Sequence, residues 1–214
     1  MKIPTIRTQA AGVLASLLVS GCASATSGAA GPVAQGSPAP AGAAVAAFKP
    51  NGADVNFMAG MIPHHAQAVL IAGWAPSHGA SPGVQRLCER IVVAQRDEIA
   101  LMQNWLREKG QEVPAANATR MRMTMNGMTH DMLMPGMLTD EELKALDASH
   151  GKDFDRGFLS AMIRHHQGAI SMVDDLESAP GSRQDEVVFR FSQDVYADQT
   201  TEIRVMKQML EATK

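Results

Sequence analysis

The stretch MIPHHAQA at residues 61–68 returns as MIRHHQGA at 162–169. An internal repeat of this kind limits the possible architectures more than any other feature of the chain, because a duplicated unit must pack against its own copy. The match extends outward. Asp54, Phe57, Met61, Ile62, His64, His65 and Ala68 recur at one constant offset as Asp155, Phe158, Met162, Ile163, His165, His166 and Ala169. A second block follows in each half: QRDEIALMQNWL (95–106) matches QTTEIRVMKQML (199–210), so Gln95, Glu98, Ile99, Met102 and Leu106 correspond to Gln199, Glu202, Ile203, Met206 and Leu210.

Each block reads as helix. Ser81 and Pro82 make an N-cap and first-turn pair, and that pattern runs to a stop at Lys109 and Gly110. Ser182 with Asp185 is expected to open the last helix, and Thr139 with Glu142 forms a capping box for a short one. The breaks APSHGASPG (75–83) and SAPGS (178–182) turn each half into a helical hairpin. No segment is read as a strand. The expected fold is all-α, a four-helix bundle of two duplicated hairpins with a short extra helix in the connection. The halves are 48–114 and 150–214, and the connection is 115–149.

Upstream of the repeat the chain changes character. Residues 1–22 have the form of an export leader: Lys2 and Arg7, a short apolar run, then VSGC (19–22). The last four residues fit a lipoprotein signal, with Cys22 as the lipidated residue. Residues 23–47 are almost wholly Ala, Gly, Ser and Pro and are expected to form a flexible tether. The duplicated domain then occupies 48–214. The predicted location is the cell envelope, lipid-anchored and facing the periplasm or exterior. Net charge is −3, and no basic run or aromatic-interleaved patch points to nucleic acid. With Cys22 lipidated, Cys88 has no partner for a disulfide and is expected to be a buried small apolar residue.

Four of the seven histidines lie in the repeated motif. On a helix, Met58, Met61 and His65 share a stripe, while His64 aligns with Met61 at a spacing of three. Met162, His165 and His166 repeat this, with Leu159 where the first half has Met58. On the partner helices Glu98 with Met102 and Glu202 with Met206 stand four apart. Imidazole and thioether together suit copper, since methionine sulfur favours copper(I) and imidazole accepts copper or zinc. Glu98 and Glu202 are open between ligation and orienting a histidine. Gln95 and Gln199 are expected to be structural or to orient a ligand instead of ligating. Pro63, matched by Arg164, predicts a kink beside the first histidine pair.

The connection adds a second cluster of soft donors: Met121, Met123, Met125, Met128, His130, Met132, Met134 and Met137. It is read as a loop able to capture copper(I) or silver(I), or else as methionines packed over the bundle. His78 and His150 are expected to be solvated.

The segments DVNFMAGMIPHHAQAVLIA, MPGMLTDEELKAL and FDRGFLSAMIRHHQGAISM resemble an exported bacterial family known as domain of unknown function 305. The resemblance covers about residues 50–212. It implies a ferritin-like bundle, and, because some members are periplasmic copper-binding proteins that protect against excess copper, it implies a copper site at Met61, His64, His65, Met162, His165 and His166.

Three functions follow as expectations. The first is a non-catalytic, envelope-anchored copper protein that sequesters or transfers the ion, with zinc, silver, iron or manganese as other candidates and a delivery partner unspecified. The second is a redox protein with a di-iron or di-manganese centre, for which only Glu98 and Glu202 could bridge. The third is a structural or interaction protein whose histidines bond between helices.

Overall fold

The computed structural model describes residues 50–125 and 127–213. The leader, Cys22 and the tether lie outside these residues. Five helices and two strands follow in order: α1 (Gly52–Ala72), α2 (Pro82–Glu108), β1 (Met121–Met125), β2 (Met128–Met132), α3 (Asp140–Asp147), α4 (Gly151–Ser178) and α5 (Glu186–Glu211). α1 packs on α2, α4 packs on α5, and the two hairpins meet along α1 and α4. The expected bundle of duplicated hairpins is therefore present, with α3 as the extra helix.

Local sequence accounts for the helix ends. Asn51 caps α1 through Ala53 N–H, and Thr139 and Glu142 complete the expected capping box on α3. The start of α5 differs from expectation. Asp185 is its N-cap, accepting from Val187 N–H, whereas the Ser182 hydroxyl donates back to the Leu176 carbonyl and closes the preceding turn. Pro63 lies within the continuous helix α1.

The strands correct the reading of the connection as a loop. β1 and β2 pair antiparallel, with Met121 opposite Met132, Met123 opposite His130 and Met125 opposite Met128. The reason is visible in MRMTMNGMTHDM. Polar residues alternate with methionine or histidine at the period of two that a strand requires, and the two runs flank Asn-Gly, the dipeptide favoured in two-residue hairpin turns.

Each half closes the other. Asp54 on α1 accepts a hydrogen bond from Arg183 N–H in the α4–α5 turn at 2.7 Å. Its counterpart Asp155 on α4 accepts from Ser81 N–H at the start of α2 at 3.1 Å. Burial holds the Asp54 carboxyl above its ordinary range despite the Arg183 hydrogen bond.

The apolar interior is divided into two clusters. One contains Met58, Met61, Met102, Phe191 and Val195; the other contains Ile91, Phe158, Met162 and Met206. α1 and α4 each cross from one cluster to the other, and their histidine pairs lie at the crossing. The protein thus carries a polar layer across the middle of its core. α1 is buried on nearly every side from Phe57 to Ala68, as expected of a helix enclosed by the rest of the fold.

The connection straps this crossing. Gln67 Nε2 donates to the Leu138 carbonyl at 2.9 Å, and Leu138 N–H donates to Gln67 Oε1 at 2.7 Å. Gly136 takes a positive φ of 77°. Beneath it, Gly168 lies so close that a side-chain carbon there would fall 1.9 Å from the Pro135 oxygen. Only glycine fits at that position. Arg164 holds the strap's continuation by a paired bridge to Glu142 of α3, at 2.6 and 2.8 Å.

Candidate metal centre

Histidines 64, 65, 165 and 166 are all fully buried. The rings of His64 and His165 meet across the α1–α4 crossing with centroids 3.8 Å apart. The outer pair turn toward carboxylates. His166 Nε2 donates to Glu202 Oε2 at 2.6 Å, and His65 Nε2 stands 2.7 Å from Glu98 Oε2, although out of line for a well-formed hydrogen bond. The twofold repeat of the sequence is thus a twofold arrangement of imidazole and carboxylate.

These contacts fix which ring nitrogens are free. His64 Nε2 donates to the Pro135 carbonyl at 3.0 Å, so its Nδ1 carries a bare lone pair. In His166 the same logic leaves Nδ1 bare. Buried and without a well-formed hydrogen bond are Nδ1 of His64 and His166 and both ring nitrogens of His65 and His165. Gln95 and Gln199, also buried, each leave a side-chain oxygen unpaired. A buried polar atom without a partner costs about 1–3 kcal/mol, so a set this dense calls for a ligand or water among them.

The electrostatics favour neutral rings at the centre. Burial is the main cause that pushes His64 down to about 3, and the neighbouring His65 adds to it. Burial likewise drives His165 well below its ordinary value, with His64 the next cause. A neutral imidazole is the form that ligates a metal. Each outer carboxylate can orient its histidine while leaving Nδ1 available, the usual arrangement behind a metal-bound imidazole.

Glu98 and Glu202 also line a cleft between α2 and α5, together with Arg90, Gln95, Asp198 and Gln199. Partial burial raises the Asp198 carboxyl, and the like charges of Glu98, Asp194 and Glu202 raise it further. With Glu98, Asp198 and Glu202 against Arg90, the cleft is acidic on balance, which favours the approach of a cation.

The other sequence-derived candidates are distributed as follows. Met58, Met61, Met102, Met162 and Met206 are fully buried in the two apolar clusters flanking the layer. Met128, His130 and Met132 are exposed on the hairpin, while Met121 and Met134 are half-buried. Met123 and Met125 take their places in β1 opposite His130 and Met128. Met137 is buried, and its sulfur accepts the Met134 N–H. Cys88 is buried as expected, and burial pushes its thiol up to about 12. His78 corrects the expectation of a solvated ring: it is buried, stacked between Trp74 and His150, and donates through Nε2 to the Asp147 carbonyl at 2.8 Å. His150 is exposed. Among the described residues, no three His, Cys, Asp or Glu side chains form a ready metal cage.

Sequence reasoning missed Gln67, Gly168, Met172 and Asp198. A signal for the first two was present. Gln67 and Gly168 occupy matched positions of the repeat, and the two halves differ there because only one strap crosses them.

A family model described as domain of unknown function 305, DUF305, matches residues 54–210. A candidate secreted DUF305 protein from Streptomyces coelicolor is 28% identical, with a TM-score of 0.63 over 75% of this chain and 93% of that one. CopM in its Cu(II)-bound form is also 28% identical, with a TM-score of 0.57 over 75% of this chain and 97% of that one. CopM is further known in Cu(I)-bound and silver-bound forms. An uncharacterized protein of Acanthamoeba polyphaga mimivirus is 32% identical over 56 residues, which span 26% of this chain and only 37% of that relative.

Proposed function

The chain belongs to the DUF305 family, and from its histidine layer we propose that it is a copper-binding protein of the cell envelope. Its role is to sequester or hand on copper(I) or copper(II) in copper homeostasis and resistance, without catalytic turnover. The observation that carries this reading is His165. A fully buried imidazole with neither nitrogen in a well-formed hydrogen bond, its ring centroid 3.8 Å from that of a second neutral imidazole, is explained by an ion that takes up those lone pairs. Copper supplies a soft acid for the ring nitrogens and for sulfur. His64 and His165 are the central ligands, and Met61 or Met162 are the thioethers nearest to them in sequence. His65 and His166, held by Glu98 and Glu202, complete the layer. The copper- and silver-bound forms of the similar CopM support this assignment.

A lipid on Cys22, followed by the tether of residues 23–47, would hold the domain at a membrane surface. A carboxylate-bridged di-iron or di-manganese centre has less support, because Glu98 and Glu202 each face a different histidine instead of a shared point.

The test is an anaerobic copper(I) titration against a competing chelator, beside a variant with His64, His65, His165 and His166 changed to alanine. Circular dichroism establishes that the variant is helical. Tight binding that disappears in the variant is the expected result. Binding of equal strength and stoichiometry in both proteins would overturn the assignment.

A further inference from the structure

Gly60 lies one helical turn before His64, on the same face of α1. A side-chain carbon at Gly60 would fall 2.9 Å from Met134 Cε, 3.4 Å from Met121 Sδ and 3.5 Å from Met172 Cε. Three methionines from three separate elements, β1, the strap and α4, therefore converge on one point that only a glycine leaves open. In the other half of the repeat the matched residue is Ala161, so the opening is left in one half only.

From this convergence we propose that Met121, Met134 and Met172 form a second soft-metal site, specific for a monovalent ion such as copper(I) or silver(I). The proposal extends the copper reading but rests on different residues from the histidine layer. Three neutral thioethers suit a soft monovalent ion and offer little to copper(II), which prefers nitrogen and oxygen donors. Methionine has three rotatable side-chain bonds, so small rotations can exchange a methyl for a sulfur at the shared point. The site is also braced. Met134 begins a tight turn in which Met137 N–H donates to the Met134 carbonyl and the Met137 sulfur accepts the Met134 N–H.

Its position suggests why it would be useful. On one side Met134 and Met172 line a surface cleft with Asp175, so an ion can arrive from solvent. The hairpin adds exposed Met128 and Met132 farther out. On the other side lies the strap carbonyl of Pro135, bonded to His64. The three thioethers thus stand between the exposed methionines of the hairpin and the buried imidazoles, as a capture site beside a storage site.

The experiment uses silver(I), a redox-inert probe, and protein carrying carbon-13 at the methionine methyl groups. Single Met→Leu variants assign the signals. Silver is expected to shift the Met121, Met134 and Met172 methyl resonances together. The triple variant Met121→Leu, Met134→Leu and Met172→Leu is expected to bind one silver ion fewer than the unmodified chain. Leucine conserves the volume, so a similar melting temperature is expected as well. Methyl signals of these three that stay in place under silver would overturn the proposal, and that measurement needs no variant to fold. If only this site fails, silver still binds through the histidines and the three signals do not move. If only the histidine reading fails, the three signals move, and the four-histidine variant binds as much silver as the unmodified chain.

Discussion

Acidifying the metal-free protein from about pH 7.5 to about pH 4.5 should weaken it through the central histidines. In the folded state burial holds His64 at about 3, against an ordinary value of 6.5. The unfolded chain therefore takes up a proton at this residue first. Stability is complete above about 6.5, falls as pH drops below it, and levels off only near the folded value. Each pH unit in that window is worth roughly 1.4 kcal/mol, so two units amount to about 3 kcal/mol from His64 alone. His165 is shifted the same way and adds to the loss. Against a typical total of about 5–15 kcal/mol, this is a large fraction. The assay is urea denaturation at a series of pH values, comparing the unmodified chain with His64→Gln, which can still donate to Pro135 but does not titrate. The unmodified chain should lose about 3 kcal/mol more than the variant between the two ends of the series. Equal losses in the two proteins would show that His64 is not held neutral by burial, and the argument for a neutral ligand pair would fail.

Gly168→Ala places a carbon 1.9 Å from the Pro135 oxygen and must lift the strap. With the two Gln67–Leu138 bonds and the His64–Pro135 bond lost, thermal denaturation should show a loss of about 3 kcal/mol, at roughly 1 kcal/mol per bond. Glu202→Gln, which keeps a neutral partner for His166, should weaken copper by ~10–100-fold in a chelator competition, as loss of an orienting carboxylate does. Under dilute peroxide, Met128 and Met132, which are 62% and 43% exposed, should form sulfoxide well before the fully buried Met58, Met61, Met162 and Met206. Peptide mass spectrometry reads the order.

The duplication made most of the architecture legible from sequence alone. Asp54, Phe57, Met61 and the histidines fall on helical spacing in both copies, and a repeated amphipathic hairpin has few ways to bury itself. The capping box of α3 was equally readable, because Thr139 and Glu142 act within one turn. What escaped were features in which the halves differ or in which distant segments meet. The methionine hairpin was hidden by composition: methionine is not among the residues enriched in strands, and the alternation around Asn126 and Gly127 reads as readily as a flexible metal-capture loop. Ser182 looked like an N-cap because hydroxyls often are, but Asp185 has the better-placed acceptor for Val187 N–H. The convergence of Met121, Met134 and Met172 depends on a strap whose path no local pattern encodes. The departures from the repeat at Gly60, Pro63, Gln67 and their partners were visible in the sequence, and they mark where that strap lies.

The reciprocal bonds of Asp54 and Asp155 bear on how the chain acquires its structure. The turn of the second hairpin is secured by a carboxylate from the first, and the turn of the first by a carboxylate from the second. Neither half contains the acceptor that completes its own corner. An isolated half should be a loose helical pair, and assembly should proceed in one cooperative step. Two separately made halves, carrying complementary ends of both clasps, have what they need to recognise each other. The single chain keeps that pairing by covalent connection, and its strap marks the one side on which the old equivalence of the halves has been given up.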